Sequence, residues 1–327
     1  QSSSVSITID QVVTPVPVST NPVPSGSAVT TFSLTSSVGG VLPFTVGLGF
    51  KKGDVMSTAS LNISDQQVTV MRRWNDGSVK HAIASGQVTL TAGTPKTITV
   101  VNTATTPSAA LTSANIKTAN PQASISFGSY GTVNLSTLLA TPFRTFVSGP
   151  EMVEAHYRSQ VGSDPSLVAW FHVRLYKNGK MWIRAIGENG YLDVTSSAKN
   201  YVPSVSLGGS TLWNNGGASL THYGHTRWTQ EGWIGGDPQI IPKHDTAYLK
   251  NSKLVPNYIA STPSSATLNN LYQTYTPNQN GDWTPSMGNA GFQAQIGVLP
   301  LWDSLYINSG GDSRAFKSVV ANSKALN

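Results

Sequence analysis

The chain contains no cysteine among its 327 residues. Disulfide bonds, thiolate metal sites and a cysteine nucleophile are therefore excluded. Charged residues are also scarce, at 11% of the chain, whereas an average globular protein has about 25%. Uncharged polar residues take their place, a balance that is more typical of β-rich extracellular and virion proteins than of cytosolic metabolic enzymes.

Long apolar stretches are missing as well. No segment approaches the roughly 20 apolar residues of a membrane-spanning helix, so the sequence predicts no membrane span. No signal peptide is visible, and the polar start QSSSVS fits either a mature end after cleavage or an arbitrary start. The net charge is +6, but the lysines and arginines form no basic run, which predicts no nucleic-acid partner.

What the chain does contain is short β-strand patterns. At roughly 100–200 residues per domain, the length predicts two or three domains. Residues 1–105 alternate apolar and polar positions between glycine and asparagine turns, which predicts a first β domain. Within it, 5–9 is a predicted strand and the proline-rich 12–26 a predicted extended edge segment. Residues 106–124 lack bulky side chains and are a predicted linker.

The second half of the chain changes character twice. Residues 125–285 predict a second β domain, sandwich-like, in which 195–285 is rich in loops. Residues 286–327 predict two short helices, the second capped by Asp312, as the opening of an incomplete helical domain. The fold class is therefore mainly β, with roughly 40% strand and under about 15% helix expected, against 20–25% strand in an average domain.

One hairpin stands out at 167–189. Two apolar arms flank the dipeptide Asn178-Gly179, the strongest short-range signal of a hairpin turn. Strand alternation places polar and aromatic side chains on one face of each arm: His172, Arg174 and Tyr176 in the first, Trp182 and Arg184 in the second. We predict Arg174, Trp182 and Arg184 as glycan-binding residues of this face.

A second conspicuous hairpin is RRWNDGSVKHAIASGQVTL, residues 72–90. Asn-Asp-Gly is a tight turn, and alternation sends Arg72 and Trp74 to one face and Arg73 to the other. The hairpin is interpreted as structural, with solvated charges. The alternative is an electropositive rim that binds acidic sugars.

The ordered pair LPFTVGLGFKKGDV (42–55) and RRWNDGSVKHAIASG (72–86) resembles the amino-terminal domain of exo-rhamnogalacturonan-lyase-like proteins. The tail QIGVLPLWDSLYINSGGDSRAFKSVVANSKA (295–325) is similar to the first helices of their (α/α) toroid. The resemblance covers about a third of the chain. It implies a RIFT-like β-barrel, a following β domain, the start of a toroid, and a role with carbohydrates or surface polymers.

The chemically densest segment is THYGHTRWTQEGW, residues 221–233, interpreted as a loop. Lyase-type β-elimination needs a base for the proton beside a uronate carboxylate, a cation for that carboxylate and an acid for the leaving oxygen. The segment supplies these residue types, and tryptophans that can stack on sugar rings. We therefore predict two sets: catalytic His222, Tyr223, His225 and Arg227, and glycan-binding Trp228 and Trp233.

Three other readings stay open. His222 and His225, with His244 or Asp245, are compatible with a metal, but they spell out no full ligand set, so no metal or other cofactor is predicted. His156 and Arg158 can share a strand face, as a functional pair or as solvated groups. The acids that a glycosidase pair would draw on are dispersed: Glu151, Glu154, Glu188, Asp193, Glu231 and Asp237.

The sequence leaves two functions in competition. One is an extracellular or surface protein like the polysaccharide lyases, which binds or cleaves an acidic glycan by β-elimination. The other is a non-enzymatic structural protein of a virion or surface fibre, joined to neighbouring chains or to copies of itself by β-augmentation. Both place the chain outside the cell, on a cell surface or in a virion.

Overall fold

The computed structural model describes residues 22–104, 108–190, 196–256, 262–284, 291 and 293–325. The protein is mainly β, with 42% of its residues in strands and 17% in helices. The predicted fold class is confirmed, although the helical share is slightly above the expected one. The predicted strand 5–9 and most of segment 12–26 lie outside the described residues.

The chain forms two compact units. The described part of the central unit lies within residues 108–237, and the described part of the split unit lies within 19–107 and 238–327. The sequence assigns 238–285 to the second β domain, whereas the structure places the described residues 238–256 and 262–284 in the split unit. The reason is a long-range pairing, because strand Ile240–His244 runs antiparallel to Ser27–Ser36.

The elements follow in chain order. Six strands open the split unit: β1 (Ser27–Ser36), β2 (Gly40–Gly49), β3 (Ser60–Leu61), β4 (Gln66–Arg73), β5 (Val79–Leu90) and β6 (Lys96–Asn102). One helix and eleven strands belong to the central unit: α1 (Ser113–Ala119), β7 (Ala123–Phe127), β8 (Thr132–Asn134), β9 (Arg144–Ser148), β10 (Met152–Gln160), β11 (Leu167–Tyr176), β12 (Met181–Asn189), β13 (Lys199–Tyr201), β14 (Pro203–Leu207), β15 (Ser210–Trp213), β16 (Leu220–His222) and β17 (Thr226–Ile234). The split unit then resumes with β18 (Ile240–His244), α2 (Thr246–Asn251), α3 (Ser265–Asn269), α4 (Leu301–Asn308) and α5 (Ser313–Ala325).

Two antiparallel sheets build the β part of the split unit. One has the strand order β18-β1-β6-β3 and the other β2-β5-β4. Both sheets contribute to one hydrophobic core, in which Phe32 of β1 and Phe44 of β2 are almost fully buried. Apolar side chains alternate with polar ones along these strands, so that each strand turns one face to the core.

The central unit contains a five-stranded antiparallel sheet, ordered β17-β12-β11-β10-β9, and a four-stranded one, ordered β15-β14-β7-β8. One face of the larger sheet buries Ala155, Phe171 and Ile183 in a core that it shares with Ile125 and Val205 of the smaller sheet. The opposite face of the larger sheet carries charged and aromatic side chains. This second face holds most of the residues predicted to bind a glycan.

The predicted linker 106–124 is in part a structural element. Its middle forms α1, with a capping box between Thr112 and Asn115, which satisfies amide groups at the helix start. Ile116 is fully buried in the core of the central unit. A single apolar residue among alanines and serines is a weak helix signal, which is why the sequence favours a linker.

The carboxy-terminal helices confirm the expected elements. α4 and α5 match the two predicted helices, and the carboxylate of Asp312 accepts a hydrogen bond from the Arg314 amide at 2.8 Å, as a cap should. The two helices share a small apolar cluster with Leu268 and Leu271. Since α2 and α3 precede residue 286, helical structure begins before the predicted boundary. In the part of the chain that the structure describes, every helix is too short or too polar to cross a membrane.

Candidate functional site

The outer face of the five-stranded sheet carries a dense group of polar and aromatic side chains, because antiparallel partners directly opposite each other share a face. The pairs Glu154–Arg174 and His156–His172 join β10 to β11, and Arg174–Trp182 joins β11 to β12. We call this surface the polar sheet face and define it by its members: Arg144, Phe146, Glu154, His156, Arg158, Trp170, His172, Arg174, Trp182, Arg184, Glu188, Arg227, Glu231 and Trp233.

Arginines outnumber carboxylates on this face, five to three. Each carboxylate is already engaged by a cation. Glu154 pairs with Arg174, Glu188 with an Arg227 nitrogen at 3.0 Å, and Glu231 with Arg184 at 2.9 Å. The face therefore presents a net positive charge, and none of its carboxylates is held apart from a cation as a general acid or base would be.

Glu154 is the centre of the network. Its side chain is 5% exposed, and burial on its own would raise the pKa of the carboxyl. A hydrogen bond with His156 at 2.8 Å and the ion pair with Arg174 outweigh this effect and lower the pKa of Glu154 to about 2. Since the stabilised form is the anion, Glu154 holds the surrounding cations in place.

The histidine ring beside it is fixed from both sides. Arg144 Nε donates a hydrogen bond to His156 Nδ1 at 2.9 Å, so this nitrogen carries no proton. The proton lies on Nε2, which donates to Glu154. His156 is therefore a neutral link between an arginine and a carboxylate, and Phe146 stacks on its ring with centroids 5.3 Å apart.

His172 lies on the other side of the His156 ring, with centroids 3.7 Å apart and planes within 13°. Burial lowers the pKa of His172 to about 3, and the positive charges of Arg184 and Arg144 act in the same direction. The described residues offer its ring nitrogens no hydrogen bond. His172 is thus kept neutral in a positive environment.

Glu154, His156 and His172 have ligand atoms within 4.8 Å of one another, the spacing of a possible two-histidine, one-carboxylate metal site. The hydrogen bonds do not fit that role. A metal-bound histidine donates its second ring nitrogen to an acceptor, whereas His156 accepts from Arg144 there. Two adjacent arginines also oppose a bound cation, so the group fits an ion-pair network better than a metal centre.

Trp182 does not offer an open ring for stacking. The guanidinium carbons of Arg174 and Arg184 lie over its ring, 4.4 and 4.9 Å from the centroid, and the residue is 8% exposed. The geometry favours a supporting role over the predicted direct sugar contact, because cation–π contacts on the indole fix the two arginines. Trp233 is partly exposed and stacks on Tyr176 at 5.6 Å.

The predicted catalytic loop is not one loop. Residues 226–234 form β17, the edge strand of the sheet, and alternation splits the group. Arg227 and Trp233 lie on the polar sheet face, where Arg227 pairs with Glu188. Trp228 points the other way and is 1% exposed. A buried indole has no free face for a sugar, so this placement does not support its predicted role in stacking.

His222 is also placed in the core, with 1% exposure. Its Nδ1 lies 2.7 Å from the Tyr201 hydroxyl, and its Nε2 lies 3.1 Å from the Thr226 carbonyl. Burial lowers the pKa of His222 to about 4. Because both nitrogens are occupied and the ring is out of reach of solvent, His222 fits a structural role and not that of a catalytic base.

Tyr223 and His225 remain at the surface, next to a buried asparagine. Asn189 is fully buried, and its amide donates to the Ser197, His222 and Tyr223 carbonyls at 2.9–3.2 Å. This single side chain positions the turn that carries Tyr223 and His225. The histidines that the sequence left open as possible metal ligands are divided too, since His222 is buried, His225 is exposed and His244 belongs to the other unit.

The buried tyrosines allow a matched test. The Tyr201 hydroxyl accepts from Trp228 Nε1 at 2.9 Å and also bonds His222, whereas the Tyr157 hydroxyl is buried without a partner among the described residues. We expect Tyr201→Phe to destabilise the central unit by about 2 kcal/mol, because it strands buried polar groups. The same change at Tyr157 is expected to stabilise it by about 1 kcal/mol.

Chemical denaturation of the two variants and the wild type measures this difference. Each substitution removes one hydroxyl from a buried ring, so the two variants control for each other. A loss of stability in Tyr157→Phe equal to that in Tyr201→Phe would show that the hydrogen bonds do not set the energies.

The hairpin at 72–90 is organised by backbone contacts. Arg73 donates to the Met56, Ser57 and Gly77 carbonyls at 2.8–3.2 Å. Trp74 Nε1 donates to the Phe50 carbonyl at 3.0 Å. These contacts favour the structural interpretation over a sugar-binding rim.

The chain matches no protein-family model and no curated protein sequence.

Proposed function

We propose that the polar sheet face binds an acidic polysaccharide without cleaving it. The single observation that carries the proposal is the row of five arginines on one sheet face, two of them fixed on an indole. Guanidinium groups bind carboxylates in a planar, two-pronged geometry. A polymer of uronate sugars presents one carboxylate on each ring. This repeated negative charge matches the several arginines of the polar sheet face.

The chemistry of the face favours binding over β-elimination. His156 and Glu154 are bonded to each other and to arginines, and His222 is buried, so none is free to take a proton from a substrate. Arg144 and Arg227 are exposed and able to reach a ligand. The resemblance to exo-rhamnogalacturonan-lyase-like proteins supports a glycan ligand and an extracellular or surface location.

Binding to polygalacturonate, with neutral dextran as the comparison, tests the proposal by calorimetry. We expect Arg144→Gln/Arg227→Gln to weaken binding roughly tenfold, since it removes two charge-assisted contacts. Lys52→Gln/Lys117→Gln removes the same charge from exposed positions outside this face and should change the affinity less than twofold. Salt should weaken binding because it screens exposed charges.

The same solutions are monitored for the ultraviolet absorbance of unsaturated sugar ends. Steady formation of such ends by the wild type would contradict non-cleaving binding. Equal affinity for dextran and polygalacturonate, or equal loss in the two double variants, would contradict recognition of the carboxylates by the polar sheet face.

A further inference from the structure

A second aromatic cluster lies on the polar sheet face, further along the strands than the Arg174–Trp182 group. Phe143 precedes β9 and is 54% exposed. Its ring meets that of Trp170 edge-to-face, with centroids 5.2 Å apart. The Arg158 guanidinium carbon lies over both rings, 5.3 Å from Phe143 and 5.2 Å from Trp170.

The cluster is held in position by its neighbours. Trp170 Nε1 donates to Glu188 at 2.6 Å, and Glu188 in turn binds Arg227. The Phe143 amide donates to the His156 carbonyl at 2.8 Å, which extends the β9–β10 pairing by one residue. An exposed phenyl ring fixed in this way loses little conformational freedom on binding, which favours affinity.

We infer that Phe143, Arg158 and Trp170 form a second sugar subsite, so that the ligand of the polar sheet face is an oligomer of uronate residues. This inference rests on the proposed function. The apolar side of a pyranose ring stacks on Phe143, and the carboxylate of the same sugar binds the exposed Arg158 guanidinium.

The spacing requires more than one sugar. Arg158 is paired with Trp170, and Glu154 with Arg174, so the two groups lie four residues apart on the same strands. At about 3.3 Å per residue this is roughly 13 Å, which is longer than one sugar ring. A chain running along the strands contacts the arginines of both groups, whereas a single sugar contacts one.

Calorimetry with galacturonate oligomers of increasing length tests the inference. We expect wild-type affinity to rise at least tenfold from the dimer to the hexamer. Phe143→Ala should weaken hexamer binding roughly tenfold, about the contribution of one aromatic contact, and change dimer binding less than twofold. Phe143→Tyr, which keeps the ring, should retain hexamer affinity. Val202→Ala removes a similarly exposed apolar side chain of the same unit and should have no effect.

The outcomes separate the two proposals. If the wild type binds no oligomer and no polymer, the proposed function is wrong. If it binds them and Phe143→Ala weakens none, or weakens all lengths equally, only the second subsite is wrong. Single-stranded oligothymidylate is the last comparison, since bases also stack on exposed rings. If it binds as tightly as the hexamer and its binding depends on Phe143, the subsite takes a nucleic-acid base and the sugar proposal is wrong.

Discussion

Acidification from pH 6.5 to 4.5 is expected to lower the free energy of unfolding of the central unit by about 4.5 kcal/mol, because the contribution of each of two histidines rises from about half of 1.4 kcal/mol per pH unit at pH 6.5 towards the full value at lower pH. Burial lowers the pKa of His172 to about 3 and that of His222 to about 4, from 6.5. Throughout this window the two histidines bind more protons in the unfolded chain than in the folded unit. Stability is therefore lost as the pH falls.

A second group extends the effect to lower pH. The pKa of Glu154 is about 2 when folded and 4.5 otherwise. The anion is the form that the fold stabilises, so this contribution is present above pH 4.5 and is lost as the pH falls towards 2. All three shifts have the same sign, and the central unit should unfold steeply in acid.

Urea denaturation is carried out at several pH values and monitored by hydrogen exchange of peptides from the central unit. It gives the slope of the free energy of unfolding against pH. His172→Gln should reduce that slope by about one proton, or roughly 1.4 kcal/mol per pH unit. Ile183→Val shortens a buried core side chain and lowers stability without changing a titrating group, so its slope should match the wild type. If the free energy of unfolding of the wild type does not change between pH 6.5 and 4.5, His172 and His222 are not held neutral by burial.

The hairpin 167–189 shows what local sequence decides. Asn178-Gly179 forms the predicted turn, with Gly179 at φ 82°, and β11 and β12 pair as predicted. Arg174, Trp182 and Arg184 share the predicted face, because alternation in a strand needs no information from the rest of the chain. The residues of this hairpin on the polar sheet face were therefore predictable.

The remaining members of the site depend on distant partners. Arg144 and Glu154 join the site through β9 and β10, and no local pattern indicates that β10 lies on the side of β11 opposite β12. Trp228 and His222 were predicted at a surface because the segment 221–233 is polar. Its alternation is obscured by Gly232, which faces the core without a side chain, so the strand looks like a loop.

Gly187→Ala is expected to destabilise the central unit by about 3 kcal/mol, the cost of overpacking a filled core. Gly187 on β12 lies opposite Trp228 on β17. A Cβ atom at this position would meet Cε2 of the indole and come within 2.6 Å of its Cζ2 and Nε1. The indole cannot move away, since Phe127, Trp213 and the Tyr201 hydroxyl surround it.

A double-mutant cycle with Trp228→Phe tests the cause. Trp228→Phe alone should cost about 2–3 kcal/mol through the cavity it leaves, whereas adding Gly187→Ala to it should cost much less than 3 kcal/mol, because the smaller ring makes room for the methyl group. Gly47→Ala is the control for glycine loss in a strand, since its Cβ would have its nearest neighbour 3.5 Å away. Strictly additive energies in the cycle would show that the contact between residue 187 and the indole is not what limits the core.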